Sequence, residues 1–172
     1  MIGYKIIEKN TLKSDYEEMT FEIGKVYKSS DIPQYPDIYE FSFYKTLEDA
    51  YAHNELTGDV IFKVEIYGDI SDSKYVENCA YCKKIRIINE IPDKFIKEYI
   101  KNRSDKLADT GTKDVKFILI RDGYCIDKLT KDPDPEVRGK VAWNGYNLDI
   151  LEKDESPIVK EKIKKAKQLN RY

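Results

Sequence analysis

Residues 123–144 read GYCIDKLTKDPDPEVRGKVAWN, and residues 145–167 continue with GYNLDILEKDESPIVKEKIKKAK. The second segment repeats the first with a period of about 22 residues, which takes Gly123 to Gly145. Nine residues recur with this period: Gly123, Tyr124, Asp127, Leu129, Lys131, Asp132, Pro135, Val137 and Lys140. A weaker copy precedes them near residues 101–122. Internal repetition of this length is typical of helical units that bury their apolar faces by stacking. We therefore predict a helical repeat domain over residues 92–172.

The turns inside the repeats have recognisable signals. Asp134-Pro135 and Ser156-Pro157 each combine a helix-capping residue with a proline at the first helical position, where its missing N–H costs little. Thr112 is the corresponding cap in the weaker copy. Gly123 and Gly145 are predicted to end the preceding helices in the left-handed conformation. Each repeat is therefore predicted to hold a short helix, a turn and a second helix.

Residues 1–91 are predicted to form a β-rich domain. Alternating apolar residues indicate strands at Tyr4–Ile7, Met19–Ile23, Val26-Tyr27, Tyr39–Tyr44, Val60–Tyr67 and Lys83–Ile91. The turn at Gly24-Lys25 predicts that the second and third of these strands form a hairpin, and Gly68–Ser73 is predicted to be a loop. The chain as a whole is predicted to be α+β, with a small, mostly antiparallel β domain followed by a short, solenoid-like α-helical repeat segment.

Two helices are predicted before the repeats begin. Thr46 and Asp49 resemble a capping box that starts a short helix ending near His53. A second helix is predicted from Pro92 or Asp93 through Arg103, because its apolar residues recur at helical spacing.

Composition and charge exclude several classes of protein. The chain is 41% hydrophobic and 36% charged, which favours a folded domain over disorder. No apolar run approaches the roughly 18 residues that a membrane-spanning helix needs. The N-terminus lacks the pattern of a signal peptide, so we expect no membrane span and a location in the cytoplasm of the host cell. The net charge is −2, but the segment Pro157–Tyr172 carries six basic residues against Glu161 alone. This basic end could contact nucleic acid or an acidic protein, or be a solvated helix face.

Two parts of the chain resemble known families. The repeats, and especially Gly145–Leu151 and Pro135–Ala142, are similar to short HEAT-like or leucine-rich-variant repeats of uncharacterised phage and prophage proteins. Lys160 and Lys164 depart from that pattern. The segments Phe21–Tyr27, Tyr39–Phe43, Leu47–Asp49 and Lys84–Ile87 resemble a domain of unknown function that often precedes such repeats. The resemblance implies phage or mobile-element ancestry and supplies no catalytic residue.

Cysteine and histidine offer weak candidates for chemistry. Cys79 and Cys82 have the spacing of half a zinc site, but the remaining ligands would have to be Cys125 and His53, which are distant in sequence. A redox-active pair and ordinary loop or core thiols are the alternatives. His53 lies at the end of a short predicted helix without a nucleophile motif. We predict no metal and no cofactor.

The repeats also suggest a binding surface. Asp127 and Asp149 recur and are interpreted as structural carboxylates that cap or bond a neighbour. A basic, aromatic-bearing stripe along the second helices is predicted for Arg138, Lys140, Trp143, Lys160 and Lys164. Such a stripe could contact an acidic protein or nucleic acid. The alternative is that Trp143 packs between repeats, with the lysines solvated beside it.

The sequence therefore favours a non-enzymatic binding protein that docks on a macromolecule, most readily a host or phage protein, and occludes it. By analogy with phage accessory proteins, the target could be a defence system such as a CRISPR effector. One alternative is a small nucleotide-using transferase whose β domain brings Tyr44, Glu65 and Arg86 into a cleft. The other is a nucleic-acid-binding accessory protein that uses the basic C-terminal face.

Overall fold

The computed structural model describes residues 1–8, 13–14, 17–31, 40–54 and 59–169. It contains two compact units, residues 1–98 and residues 99–172, which we call the sheet unit and the repeat unit. The predicted α+β class is confirmed, because an antiparallel sheet is followed along the chain by a series of helices. No helix within the described ranges is long and apolar enough to cross a membrane.

The described strands and helices up to residue 91 are β1 (Ile2–Ile7), β2 (Lys13–Ser14), β3 (Glu17–Thr20), β4 (Val26–Lys28), a 3₁₀ turn (Ser29–Asp31), β5 (Phe41–Tyr44), α1 (Leu47–Asn54), β6 (Val60–Asp72) and β7 (Cys79–Ile91). Four of the strands pair in a closed, antiparallel ring: β1 with β6, β6 with β7, β7 with β5, and β5 with β1. β4 adds to β7, and β2 pairs with β3 in a separate ribbon.

The interior of this ring is apolar and tightly filled. Alternation along β6 places Phe62, Val64 and Ile66 inside, each at most 4% exposed, while Val60 is partly buried. A Cβ at Gly3 would stand 2.5 Å from Ile66 Cδ1 and 2.6 Å from Phe43 Cδ2, so only glycine fits this place in β1. The side chains of Phe43 and Ile66 therefore pack directly against the backbone of β1.

Lys5 is an exception to the apolar interior, since it is only 2% exposed. Its ammonium group donates a hydrogen bond to the carbonyl of Ser42 at 3.2 Å and lies 5.6 Å from the centroid of the Phe21 ring. A buried charge needs partners of this kind. The aliphatic stem of Lys5 thereby contributes to the core.

Three sequence predictions in the sheet unit are wrong. The turn at Gly24 exists, but β3 ends at Thr20 and pairs with β2, while β4 pairs with β7, so the flanking strands do not form the predicted hairpin. Gly68–Ser73 is not a loop, because β6 continues to Asp72, and β7 starts at Cys79 rather than at Lys83. Turn residues near Gly24 could not reveal that β4 pairs with β7, because these two strands are far apart in sequence. Tyr39, the first residue of the strand predicted at Tyr39–Tyr44, lies outside the described residues.

Helix α1 begins as predicted. The hydroxyl of Thr46 accepts a hydrogen bond from the backbone N–H of Asp49 at 3.2 Å and donates to the Asp49 carboxylate. Asn78 donates a further hydrogen bond, at 2.9 Å, to that carboxylate. Asp49 is only 4% exposed, so this capping box is a satisfied polar cluster inside the fold.

The helices that follow are α2 (Asp93–Thr110), α3 (Lys113–Arg121), α4 (Ile126–Leu129), α5 (Pro135–Trp143), α6 (Leu148–Leu151) and α7 (Pro157–Gln168). The predicted end of α2 at Arg103 is wrong. The helix runs on through residues 105–107, which were expected to form the separate short helix of the weaker copy. The separate short helix of that copy is therefore absent, whereas its second helix, α3, begins one repeat period before α5.

The two strong repeats have the same backbone geometry. Gly123 and Gly145 have φ angles of +76° and +83°, and the next-but-one residues, Cys125 and Asn147, have φ angles of +55° and +47°. The short helices α4 and α6 follow, and Pro135 and Pro157 then begin α5 and α7. The predicted glycine ends and proline starts are confirmed.

Buried positions recur with the same period. Three sets of equivalent residues fill the core of the repeat unit, each at most 7% exposed: Leu107, Leu129 and Leu151; Val115, Val137 and Val159; and Leu119, Val141 and Ile163. α3 packs on α5 and α5 packs on α7. The apolar faces of neighbouring helices are therefore buried against one another.

Candidate functional site

Two ion pairs at equivalent positions of successive repeats hold the turns between the helices. Lys116 Nζ lies 2.7 Å from Asp132 Oδ2, and one repeat period later Arg138 Nε lies 2.6 Å from Asp154 Oδ2. The second oxygen of Asp132 accepts from the backbone N–H of Asp134, and that of Asp154 accepts from the N–H of Ser156, both at 2.9 Å. Each carboxylate therefore binds two groups. One is the cation on the second helix of a repeat, and the other is a backbone N–H just before the second helix of the following repeat.

This arrangement changes the interpretation of Arg138, which was predicted to belong to a binding stripe. Its side chain is only 20% exposed, and its guanidinium also donates to the carbonyl oxygens of Asp132 and Pro133, at 2.8 and 3.1 Å. With these donors engaged inside the unit, Arg138 acts as a structural residue.

The Arg138–Asp154 pair predicts a pH dependence of stability. The hydrogen bond from Arg138 holds the pKa of Asp154 below its ordinary value, against a smaller opposing effect of burial. Because the folded pKa is depressed, the pair stabilises the fold above the unfolded pKa of about 4 and loses its effect as the pH falls through the folded pKa.

The measurement compares the wild-type chain with Asp154→Asn, which keeps an acceptor for Ser156 but removes the charge. At pH 7 we expect the free energy of unfolding of the variant to be lower by about 2 kcal/mol. The difference should shrink below pH 4, as wild-type Asp154 becomes protonated. A difference that stays constant down to pH 2 would show that the pair makes no pH-linked contribution.

A groove of about 460 Å³ opens along the outer faces of α3, α5 and α7. Its lining comes from all three helices: Phe117, Glu136, Lys140, Trp143, Ile158, Glu161 and Lys162. Lys140 Nζ lies 5.4 Å from the centroid of the Phe117 ring, and Lys162 Nζ lies 5.6 Å from that of Trp143. These distances are in the range of cation–π contacts. Ile158 is 37% exposed, which gives the groove an accessible aliphatic patch beside its two partly exposed rings.

The carboxylates of the groove are already paired. Glu136 forms an ion pair with Lys113, and Glu161 lies 2.5 Å from Lys165. The hydrogen bond from Lys165 lowers the pKa of Glu161, and the one to Glu136 raises the pKa of Lys113. Both carboxylates therefore have a cation of their own.

Unlike these carboxylates, the two lysines of the groove form no ion pair with a described residue. Within the described ranges, Lys140 and Lys162 have no carboxylate at ion-pair distance. Lys162 adds a smaller electrostatic effect to the lowered pKa of Glu161 but forms no ion pair with it. The groove therefore has two cations that no acidic side chain neutralises in a direct contact.

The structure separates the five residues of the predicted stripe. Lys140 and Trp143 line the groove, Arg138 is paired internally, and Lys160 and Lys164 are exposed on α7 outside the groove lining. Sequence reasoning missed the other five groove residues: Phe117, Glu136, Ile158, Glu161 and Lys162. Only Lys162 had a signal, because it occupies the position of Lys140 in the next repeat.

The repeated carboxylates have a structural role at one position. Asp127 accepts a hydrogen bond at 3.0 Å from the side-chain amide of Asn147, which also donates to Thr130 at 2.9 Å. Asn147 belongs to the following repeat, so the predicted bond between neighbours is confirmed for Asp127. Asp149 is exposed.

The cysteines do not form a reactive pair. Cys79 and Cys82 are buried, three positions apart in β7, so the pleat directs them to opposite faces about 10 Å apart. Burial raises the pKa of the Cys79 thiol, which makes it a poor nucleophile. Among the described residues no group of three potential ligands could hold a metal. His53, in the last turn of α1, lies with its ring 5.0 Å from that of Tyr44.

A polar cluster lies on the outer face of β6 and β7. Arg86 lies 2.6 Å from Glu65 Oε2, and the Tyr67 hydroxyl donates to the same oxygen at 2.5 Å. The Tyr67 bond lowers the pKa of Glu65 and raises that of Tyr67. Both shifts keep these groups in their ordinary charge states at neutral pH, whereas a general acid or base requires a pKa close to the working pH. The cluster thus gives no support to the predicted transferase site.

The groove of the repeat unit is therefore the better candidate site. It presents two aromatic rings and an aliphatic side chain at the surface, and aromatic residues are enriched in protein interfaces. No family model, curated protein or solved structure matches the chain, so its function must be inferred from this geometry.

Proposed function

We propose that the protein is a non-enzymatic binding protein that docks on a partner protein through the groove between α3, α5 and α7. The observation that carries this proposal is the grouping of Phe117, Trp143 and Ile158 at the surface beside two unneutralised lysines. Aromatic residues that offer a large accessible face are frequent anchors of protein interfaces.

The scaffold under the groove suits this role. The groove side chains project from helices held by the carboxylates of Asp132, which is buried, and Asp154, which is partly buried, and not from loops. A site on rigid, pre-formed elements loses less conformational entropy when the partner arrives. Such a surface can act by occlusion, since a docked partner is covered without any reaction.

The identity of the partner rests on the sequence alone. The resemblance of the repeats to phage and prophage proteins supports a host protein in the cytoplasm as the target, with a CRISPR effector as one example. These assignments stay predictions. Direct binding of nucleic acid through the exposed Lys160 and Lys164 is the competing proposal, and it predicts contacts that weaken steeply with salt.

Two matched substitutions test the docking groove. Ile158 and Ile150 are both exposed, at 37% and 49%, but only Ile158 lines the groove. We expect Ile158→Arg to weaken capture of the native partner by about 100-fold, because a third cation would fill the apolar patch. Ile150→Arg should leave capture unchanged.

The measurement is affinity purification of the full chain from the native host, followed by titration of the co-purified protein with each variant. Equal binding by both variants would place the contact elsewhere and contradict the groove proposal. Conversion of a small-molecule substrate by the purified chain would contradict the non-enzymatic role.

A further inference from the structure

We propose that the groove takes a short acidic segment of its partner, in which an apolar or aromatic side chain is flanked by carboxylates. This inference rests on the proposed docking function and specifies the chemistry of the occupant. It follows from three properties of the groove: its uncompensated charge, its apolar surface and the position of its own carboxylates.

The uncompensated charge is positive. Lys113 and Lys165 already neutralise Glu136 and Glu161, whereas Lys140 and Lys162 lie over aromatic rings. An incoming carboxylate can therefore pair with Lys140 or Lys162 without breaking an existing ion pair. The ring contacts also restrict the two ammonium groups before binding, which reduces the entropy lost on pairing.

The two lysines occupy equivalent positions in successive repeats. One repeat period separates them, which places them on adjacent helices, because α5 packs directly on α7. The aromatic partners Phe117 and Trp143 do not occupy equivalent positions. The groove thus has a repeated charge and a non-repeated apolar lining, which suits a segment with acidic residues on both sides of one apolar residue.

The apolar surface provides the site for that central residue. Phe117 and Trp143 present partly exposed rings, and Ile158 lies exposed beside them. The volume of about 460 Å³ is within the range of pockets that hold compact groups. Burial of one apolar side chain here would supply the hydrophobic part of the affinity.

The carboxylates of the groove favour a peptide over nucleic acid. Glu136 and Glu161 line the same groove as the lysines, and their oxygens can still accept hydrogen bonds beside their lysine partners. A peptide backbone has N–H groups that can donate to these oxygens, whereas a phosphodiester backbone has no such donor. The observations therefore favour an acidic peptide.

The test uses Trp143, the only tryptophan of the chain, as a fluorescent reporter inside the groove. The full chain is titrated with synthetic peptides that share a central phenylalanine and differ only in the flanking residues: aspartate and glutamate, asparagine and glutamine, or lysine and arginine. Single-stranded oligothymidylate is a fourth probe. We expect a saturable fluorescence change with the acidic peptides alone, with an affinity that falls as the salt concentration rises.

Two double variants with the same change in net charge assign the effect to the groove. K140Q/K162Q should weaken binding of the acidic peptide about tenfold, because two partly desolvated ion pairs are lost. K160Q/K164Q changes exposed lysines of α7 outside the groove, and it should weaken binding less than about twofold. Circular dichroism and the unfolding midpoint verify that each variant is folded.

Three results would overturn the inference: equal binding of neutral or basic peptides, tighter binding of oligothymidylate, or equal losses in the two double variants. Absence of a fluorescence change with all the peptides would also overturn it. The proposed docking function is judged separately by the Ile158→Arg and Ile150→Arg comparison, which uses the native partner. Loss of partner binding in Ile158→Arg together with a failure of the acidic peptides would retain the docking groove and reject only the acidic occupant.

Discussion

Replacing Asp132 by alanine should lower the free energy of unfolding of the repeat unit by about 3 kcal/mol, the expected cost of removing one partner of a buried ion pair. The Asp132 side chain is only 4% exposed and its partner Lys116 only 13% exposed. Its removal leaves a poorly solvated ammonium group and the free N–H of Asp134. The ammonium group and the N–H each lose a hydrogen bond that water can replace only in part.

Urea unfolding followed by Trp143 fluorescence measures this effect within the repeat unit. Asp149→Ala is the matched control, since it removes an exposed carboxylate from the same repeat array, and it should change stability by less than about 0.5 kcal/mol. Asp132→Asn, which retains an acceptor for Asp134, should lie between the two. Equal stability of Asp132→Ala and Asp149→Ala would show that the pair does not hold the repeats together.

Replacing Leu151 by alanine should cost a similar amount, about 3 kcal/mol, through loss of apolar burial and creation of a cavity. Leu151 is 2% exposed in α6 and occupies the position of Leu129 in the preceding repeat. The neighbouring Ile150 is 49% exposed. Adjacent residues of one short helix therefore differ almost completely in burial.

The comparison of Leu151→Ala with Ile150→Ala removes three carbons in each case and isolates burial as the variable. Ile150→Ala should cost less than about 1 kcal/mol, because its side chain already contacts water. Thermal unfolding with Trp143 fluorescence provides an independent measurement. If the two substitutions destabilise the unit equally, the helix does not face the repeat core as the structure shows.

Prediction from sequence was most successful where the signal was local and repeated. Several of these signals depend on backbone preferences within a few residues. They are the helix ends at Gly123 and Gly145, the prolines that begin α5 and α7, and the capping box of Thr46. All of them are present in the structure. The expected burial of an apolar face in each repeat is also present, because stacking requires the same face to be buried each time.

Prediction failed where distant segments decided the outcome. The hairpin expected around Gly24 was wrong because β4 finds its partner in β7, far along the chain, as the register of Val26 with Arg86 shows. β6 also extends through Gly68, where its pairing with the start of β7 shifts register, so a glycine that suggested a loop lies inside the strand. Strand pairing of either kind depends on contacts between the strands more than on local propensity.

The candidate site shows the same division. Sequence repetition identified Lys140 and Trp143, but it grouped them with Arg138, whose charge is taken up by Asp154. Phe117 and Ile158 were missed because they have no repeated counterpart of the same type: one repeat period away, their positions are occupied by Gly139 and Glu136. Only the packing of α3, α5 and α7 reveals that these side chains share a groove.

The amino-acid sequence by itself determined the α+β class, the helical repeat and the buried face of its helices, because caps, turns and apolar periodicity act over short stretches of chain. The tertiary structure alone decided which cations are neutralised and which are available. An ion pair depends on the distance between side chains, and residues such as Arg138 and Lys140, two positions apart on one helix, point in different directions and meet different neighbours.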